Sequence, residues 1–345
     1  MIARYSLIPT RPILLQPRLP GEASVPMLRF DRFMHTALFH PERGYYTSRI
    51  KTVGARGDFS TAATLSECLA RSIARWVCDS QYQHLIEIGP GDGSLSRDLR
   101  RYLSPFKKLR LTHHLVETSP VLREQQKKKL PRAHHHETIQ QALEAAQGEA
   151  LIFSNELVDA FPVRIFRKEE DGYSELHFEK GSQPVESFLP VEELPQSTLF
   201  THAWPVGQRL EVHESYHQWL KDWLPLWKAG QMLTIDYGAL NDTLYHRRPG
   251  GSLRAYFMQD RIEGPAVYQN AGHQDLTADV SFTDLMKWGD EQGLTTIDLL
   301  SLREFLMPNM RQTTTDTYLT SPNGPGDAFQ VLLQTKNDDT FGVCL

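Results

Sequence analysis

Cysteine is scarce: Cys68, Cys78 and Cys344 are the only three in 345 residues, and none falls in a C-x-x-C pair. That excludes a disulfide framework and a cysteine-built zinc site, and makes a reducing compartment the expectation. No apolar run approaches the roughly 18 residues that a membrane-spanning helix needs, so no membrane insertion is expected. Positive charge is not in excess either. Lys and Arg number 37 against 42 Asp and Glu, a net charge of −5, which gives no support for a nucleic-acid partner. Internal repeats and long low-complexity tracts are missing as well. What remains is a globular composition, 40% hydrophobic and 23% charged, long enough for one large domain or two ordinary ones.

Residues 1–80 read as an N-terminal arm and a helical lead-in. Phe30, Phe33, Met34, Ala37 and Leu38 recur at helical spacing, and Leu65, Leu69, Ile73 and Trp76 form a second stripe. Residues 81–160 alternate strand and helix: strands at 84–88, 110–117, 134–136 and 150–154, with helices between them. That alternation predicts a doubly wound, mostly parallel α/β sheet with right-handed crossovers. Residues 161–215 change character. Val163–Phe166 and Tyr173–Phe178 flank Asp171-Gly172, a hairpin signal, and the stretch reads as a β-rich insertion. Residues 216–345 return to the core pattern, with a helix at 216–228, strands at 232–235, 295–300 and 328–334, and a helix at 282–291. Trp219, Trp223 and Trp227 fall on one face of the 216–228 helix and read as core packing. Residues 239–281 read as a loop-rich substrate region.

The chemistry concentrates at Ile86-Glu87-Ile88-Gly89-Pro90-Gly91-Asp92-Gly93-Ser94. A strand runs into three alternating glycines and a helix follows. Glycine permits the sharp turn and lets a ligand approach the backbone, and the helix offers unpaired N–H groups. The dinucleotide fingerprint is G-x-G-x-x-G; here the third glycine arrives one residue early. Glu117 ends the next strand, 24 residues after Gly93, where an acid binds ribose hydroxyls. The strand at 150–154 ends in Asn155-Glu156-Leu157-Val158-Asp159, which aims polar groups at the same crevice. The cofactor-binding candidates are Glu87, Gly89, Gly91, Gly93, Glu117, Asn155 and Asp58. The catalytic candidates are Glu156 and Asp159. Asp236 stands behind them as a second-tier candidate for a bound ammonium or the substrate. The histidines at 113, 114 and 134–136 supply no fixed ligand geometry, and no metal is expected.

Taken together, these blocks resemble the MidA-like methyltransferases over about residues 26–336. His40-Pro41-Glu42-Arg43-Gly44-Tyr45-Tyr46, Gly57-Asp58-Phe59-Ser60-Thr61-Ala62, Glu87–Gly93 and Ser154–Val163 are similar to family blocks. So are Leu233–Gly238, Gly251–Tyr256 and Asp275–Phe282, in the right order. The sequence departs from the family pattern at Ala63-Thr64, where Pro-Glu is usual, at Asp92, where arginine is common, and at Gln259, where many members have histidine. The resemblance implies a Rossmann-like class I methyltransferase fold, with S-adenosylmethionine (SAM) as cofactor. It also implies methylation of a protein arginine, which in mitochondrial members assists assembly of respiratory complex I.

An arginine acceptor needs carboxylates to orient its guanidinium and take up a proton. Glu156 and Asp159 suit that role, and Tyr45, Tyr46 and Tyr237 suit the face of a cation pocket or plain core packing. The expected partner is a protein with an accessible arginine, with a homodimer as a further option. A catalytically weak SAM-binding assembly chaperone, a nicotinamide-dependent oxidoreductase and a small-molecule methyltransferase remain the rival readings. Arg4, Arg11 and Arg18, with no acid among the first 20 residues, faintly resemble a mitochondrial transit peptide, but Pro9, Pro12, Pro17 and Pro20 oppose its helix. A bacterial cytoplasm is therefore expected, with the mitochondrial matrix as the alternative.

Overall fold

The structure, a computed structural model, describes residues 27–49, 66–179, 184–258 and 260–337. In chain order the strands are β1 (Met27–Arg29), β2 (His84–Ile88), β3 (Thr112–Val116), β4 (His134–His136), β5 (Leu151–Asn155), β6 (Arg164–Lys168), β7 (Tyr173–Glu179) and β8 (Glu186–Pro190). They continue with β9 (Arg209–Val212), β10 (Gly230–Ala239), β11 (Arg254–Phe257), β12 (Asp260–Glu263), β13 (Asp275–Thr277), β14 (Val280–Ser281), β15 (Thr295–Ser301) and β16 (Phe329–Lys336).

The central sheet runs β15-β16-β10-β5-β2-β3-β4. Pairings from β10 through β5, β2 and β3 to β4 are all parallel, and β16 alone runs against its neighbours β10 and β15. The strand order reverses between β2 and β5, which opens a crevice at their carboxyl ends. Parallel strands buried on both faces need apolar side chains both ways, and Leu85, Ile86, Leu151, Ile152 and Phe153 supply them. One face is covered by the helices Cys68–Asp79, Ser94–Tyr102 and Leu302–Leu306, the other by Ile139–Ala145, Glu214–Trp223 and Phe282–Glu291. This is the doubly wound, Rossmann-like arrangement that the strand–helix alternation predicts.

A second sheet, β1-β7-β6-β9 with β8 on β7, is antiparallel. Its β6–β7 hairpin turns through Gly172, which takes the left-handed conformation at φ 91°. The N-terminal region, expected to be helical, contributes β1 to this sheet before the helix Phe30–Phe39 begins. The region expected to be loop-rich carries a small antiparallel sheet, β12-β11-β13. Its strands have only three or four residues, too few for an alternating pattern to stand out. The tryptophan helix stops at Trp223 because Pro225 cannot continue it, and a 3₁₀ turn follows. Trp223 and Trp227 are nonetheless fully buried, as core packing requires. No helix among the described residues is long and apolar enough to cross a membrane.

Candidate active site

The glycine loop leaves β2 at the crevice. Gly89, Gly91 and Gly93 all adopt left-handed backbone, at φ 67°, 54° and 79°. Such a run strains any side chain, which explains three glycines in five residues. A Cβ on Gly89 would lie 2.8 Å from Leu157 Cδ1, so the loop packs directly on the segment that follows β5. The loop is pinned to the sheet by the Gly89 N–H, which donates to the Val116 carbonyl at 3.0 Å.

Glu87 precedes the loop, but its carboxyl turns into the layer between sheet and helix. There it accepts the Ser96 hydroxyl, and burial pushes it up to about 8. Ser96 in turn meets His113 Nε2 at 3.0 Å. Glu87 therefore supports the loop from beneath, through the helix that the loop opens. Glu117 stands just past β3. Its carboxylate accepts the Ser119 N–H at 2.9 Å, and burial raises it to about 7.

The end of β5 carries the second half of the site. Asn155 Nδ2 donates to Glu156 Oε1 at 3.2 Å, while Asn155 Oδ1 is buried with no hydrogen-bond partner among the described residues. Glu156 is held at φ 51°, a left-handed conformation that costs a non-glycine residue about 1–3 kcal/mol and clusters at functional sites. Its N–H donates to the Ile235 carbonyl at 2.9 Å, which anchors the strained residue to β10. Asp159 is buried, and its carboxyl is held well above the usual range by that burial and then by Asp236, Asp275 and Glu156 nearby.

Asp236, at the top of β10, has a different task from the one its sequence position suggested. Oδ2 accepts the N–H groups of Leu157, Val158 and Asp159 at 3.0, 2.7 and 3.4 Å, and Oδ1 accepts that of Tyr237 at 2.9 Å. At 0% exposure, with both oxygens engaged by backbone, it is the cap that fixes the Glu156–Asp159 turn and not a contact for a ligand ammonium.

Asp275, Arg254 and Asp279, which did not figure among the sequence candidates, complete the cluster. Asp275, on β13, accepts the Tyr46 hydroxyl at 2.7 Å across 229 residues of chain. Arg254, on β11, is ion-paired with Asp279 and packs its guanidinium 5.1 Å from the centre of the Tyr237 ring. Among the described residues, Arg254 is the cation whose charge acts on Asp159. The neighbouring strand β13 is tied to the acidic turn by the Ala278 N–H on the Asp159 carbonyl at 3.1 Å. The signal for these residues was their place in the Gly251–Tyr256 and Asp275–Phe282 blocks. Asp58 and Thr64 lie outside the described residues, as does Gln259.

This geometry is a glycine cradle beside a ribose-spaced acid, with a pocket of carboxylates one loop away. Residues 65–300 match the family model described as "Putative S-adenosyl-L-methionine-dependent methyltransferase". The chain belongs to this family. Among curated proteins it is 27% identical over 293 residues to "Protein arginine methyltransferase NDUFAF7 homolog, mitochondrial" of Drosophila melanogaster, covering 72% of this chain and 64% of that protein. The NDUFAF7 arginine methyltransferase of Xenopus tropicalis is 28% identical over 292 residues, covering 73% and 65%. The chain thus spans just under two thirds of the length of these relatives. A Burkholderia thailandensis protein solved with S-adenosyl-homocysteine bound superposes with a TM-score of 0.80 at 22% identity, over 90% of this chain and 88% of that one, and shows the same fold.

The family cofactor is SAM, and the residues present fit it. The three left-handed glycines leave a side-chain-free cradle, Glu117 offers a carboxylate where two ribose hydroxyls need an acceptor, and the orphaned Asn155 Oδ1 offers another acceptor beside them.

Proposed function

We propose that this methyltransferase transfers the methyl group of SAM to a guanidinium nitrogen of a protein arginine. The observation that carries this reading is the carboxylate cluster Glu156, Asp159 and Asp275, packed against the glycine loop through Leu157. A buried cluster so rich in carboxyl groups is complementary to a planar cation. When bound at residues 89–93, SAM supplies an electrophilic methyl group on a sulfonium. The chain supplies the rest.

Gly89, Gly91 and Gly93 hold the methionine portion with backbone, and Glu117 holds the ribose. Glu156, locked in its left-handed conformation, and Asp159 orient the guanidinium so that one nitrogen faces the methyl group. As the new N–C bond forms and the S–C bond breaks, that nitrogen loses a proton to a carboxylate, for which Glu156 is the candidate. Burial and the neighbouring carboxyls hold Asp159 well above its usual range, and a guanidinium beside it favours its charged form. Tyr46 and Asp275 form the wall beyond it.

The relatives named as protein arginine methyltransferases support the choice of acceptor, and the names of those relatives place them in mitochondria. The test is mass spectrometry of arginine methylation in cells with and without the gene, complemented by wild type or Glu156→Gln. Arginine sites that vanish on deletion and return only with wild type support the reading. A methylarginine proteome unchanged by deletion contradicts it.

A further inference from the structure

The helix Pro120–Lys129 begins three residues after Glu117, and two of its side chains reach back to the glycine loop. Gln126 is fully buried. Its Nε2 donates to the Gly91 carbonyl at 2.6 Å, and its Cγ lies 3.2 Å from where a Cβ on Gly93 would stand. One turn later, Lys129 is ion-paired with Asp92 and donates to the Ser94 hydroxyl at 2.9 Å. The second Asp92 oxygen accepts the Ser94 N–H at 2.9 Å. Residues 91 to 94 are therefore each held by the same helix, directly or through one shared partner.

We propose that Gln126 and Lys129 are positioning residues that set the affinity for SAM by latching the glycine loop from behind. The inference rests on SAM lying at residues 89–93. A free loop with three glycines samples many backbone states, and binding must then remove that freedom. A loop already fixed by its own protein binds without that loss. The latch also commits the Gly91 carbonyl and the Asp92 carboxylate to the helix. Asp92 and Lys129 act as a matched pair of opposite charges.

Charge reversal tests this. S-adenosyl-homocysteine is titrated calorimetrically into full-length wild type, Lys129→Asp, Asp92→Lys, the double swap and Gln126→Met, with Glu117→Ala as control. Each single latch variant is expected to weaken binding about fivefold to tenfold, as a part-buried ion pair beside the ligand warrants. The double swap is expected to recover most of that loss, which a general loss of fold would not do. Single variants that bind like wild type, or a double swap no better than the singles, overturn the latch. If wild type itself fails to bind, the cofactor reading fails. If wild type binds, Glu117→Ala is weakened and the latch variants are not, only the latch fails.

Discussion

The two halves of the site are built by different means. In the proposed cofactor half, the binding groups come from one continuous stretch, 89–93, plus a single acid just past the next strand, and the backbone is assigned much of the holding. In the proposed acceptor half, Tyr46, Glu156, Asp159, Arg254 and Asp275 converge from four separate parts of the chain, and the proposed chemistry rests on charged side chains. The first half tolerates variation wherever glycine geometry survives. The second depends on every long-range contact that places a charge. Substitutions on the acceptor side should therefore abolish transfer while sparing cofactor binding, and those on the cofactor side should weaken binding first.

Glu156→Gln should give the largest effect. It keeps shape and backbone but removes the proton acceptor, and turnover on any arginine acceptor is expected to fall about 10²- to 10⁴-fold. Glu156→Gly sharpens the point. It removes the strain at φ 51° and should raise stability by up to roughly 1 kcal/mol while transfer is lost, read by urea unfolding and methyl-transfer assays together.

Next is Asp236→Ala, which strips the cap from three buried N–H groups and is expected to destabilise the fold by about 2–4 kcal/mol. The midpoint of urea unfolding measures it. A variant as stable as wild type would show that the acidic turn holds itself.

The smallest effect is in pH. Burial depresses His113 and His114 to about 3 and His213 to about 4, from 6.5. The unfolded chain takes up those protons first, so this contribution is full above 6.5 and is lost as pH falls. Burial raises Glu87 to about 8 and Glu117 to about 7, from 4.5. The fold keeps those protons longer, so this contribution is full below 4.5 and is lost as pH rises toward 8. The two slopes oppose each other between 4.5 and 6.5, where the three histidines outweigh the two carboxyls, and above 6.5 only the carboxyls act, so for these groups unfolding midpoints should peak near pH 6.5. A steady rise of stability from pH 5 to 8 would mean that Glu87 is not buried as described. Cofactor affinity should run the other way and strengthen as pH rises through about 7, because Glu117 must ionise to accept ribose hydroxyls. Glu117→Gln should flatten that profile.

The same contrast explains what was legible in the sequence. The central sheet could be read because long apolar strands alternate with amphipathic helices, and the helix Phe282–Glu291 falls where its pattern puts it. The glycine loop could be read because its residues are neighbours. Arg254 and Asp275 were marked only by the blocks that hold them, because they sit on strands of four and three residues whose meeting depends on the whole fold. Strand β8 escaped notice as a partly exposed edge segment that ends in Pro190. The helix Pro105–Arg110 was missed although its signal was present: Ser104 caps it and proline opens it. Asp236 reads as a ligand contact in sequence, because a carboxylate at a strand end has the same pattern whether it meets a ligand or caps a turn.

The most direct test of the account is calorimetric titration of S-adenosyl-homocysteine into wild type, Glu117→Ala and Glu156→Gln side by side. The account predicts that Glu117→Ala binds roughly 30- to 100-fold more weakly than wild type, the loss of two charge-assisted hydrogen bonds. It predicts that Glu156→Gln binds within about twofold of wild type, since Glu156 is assigned to the acceptor. Equal binding by all three proteins, or a loss confined to Glu156→Gln, would contradict the division of the site into a cofactor half and an acceptor half.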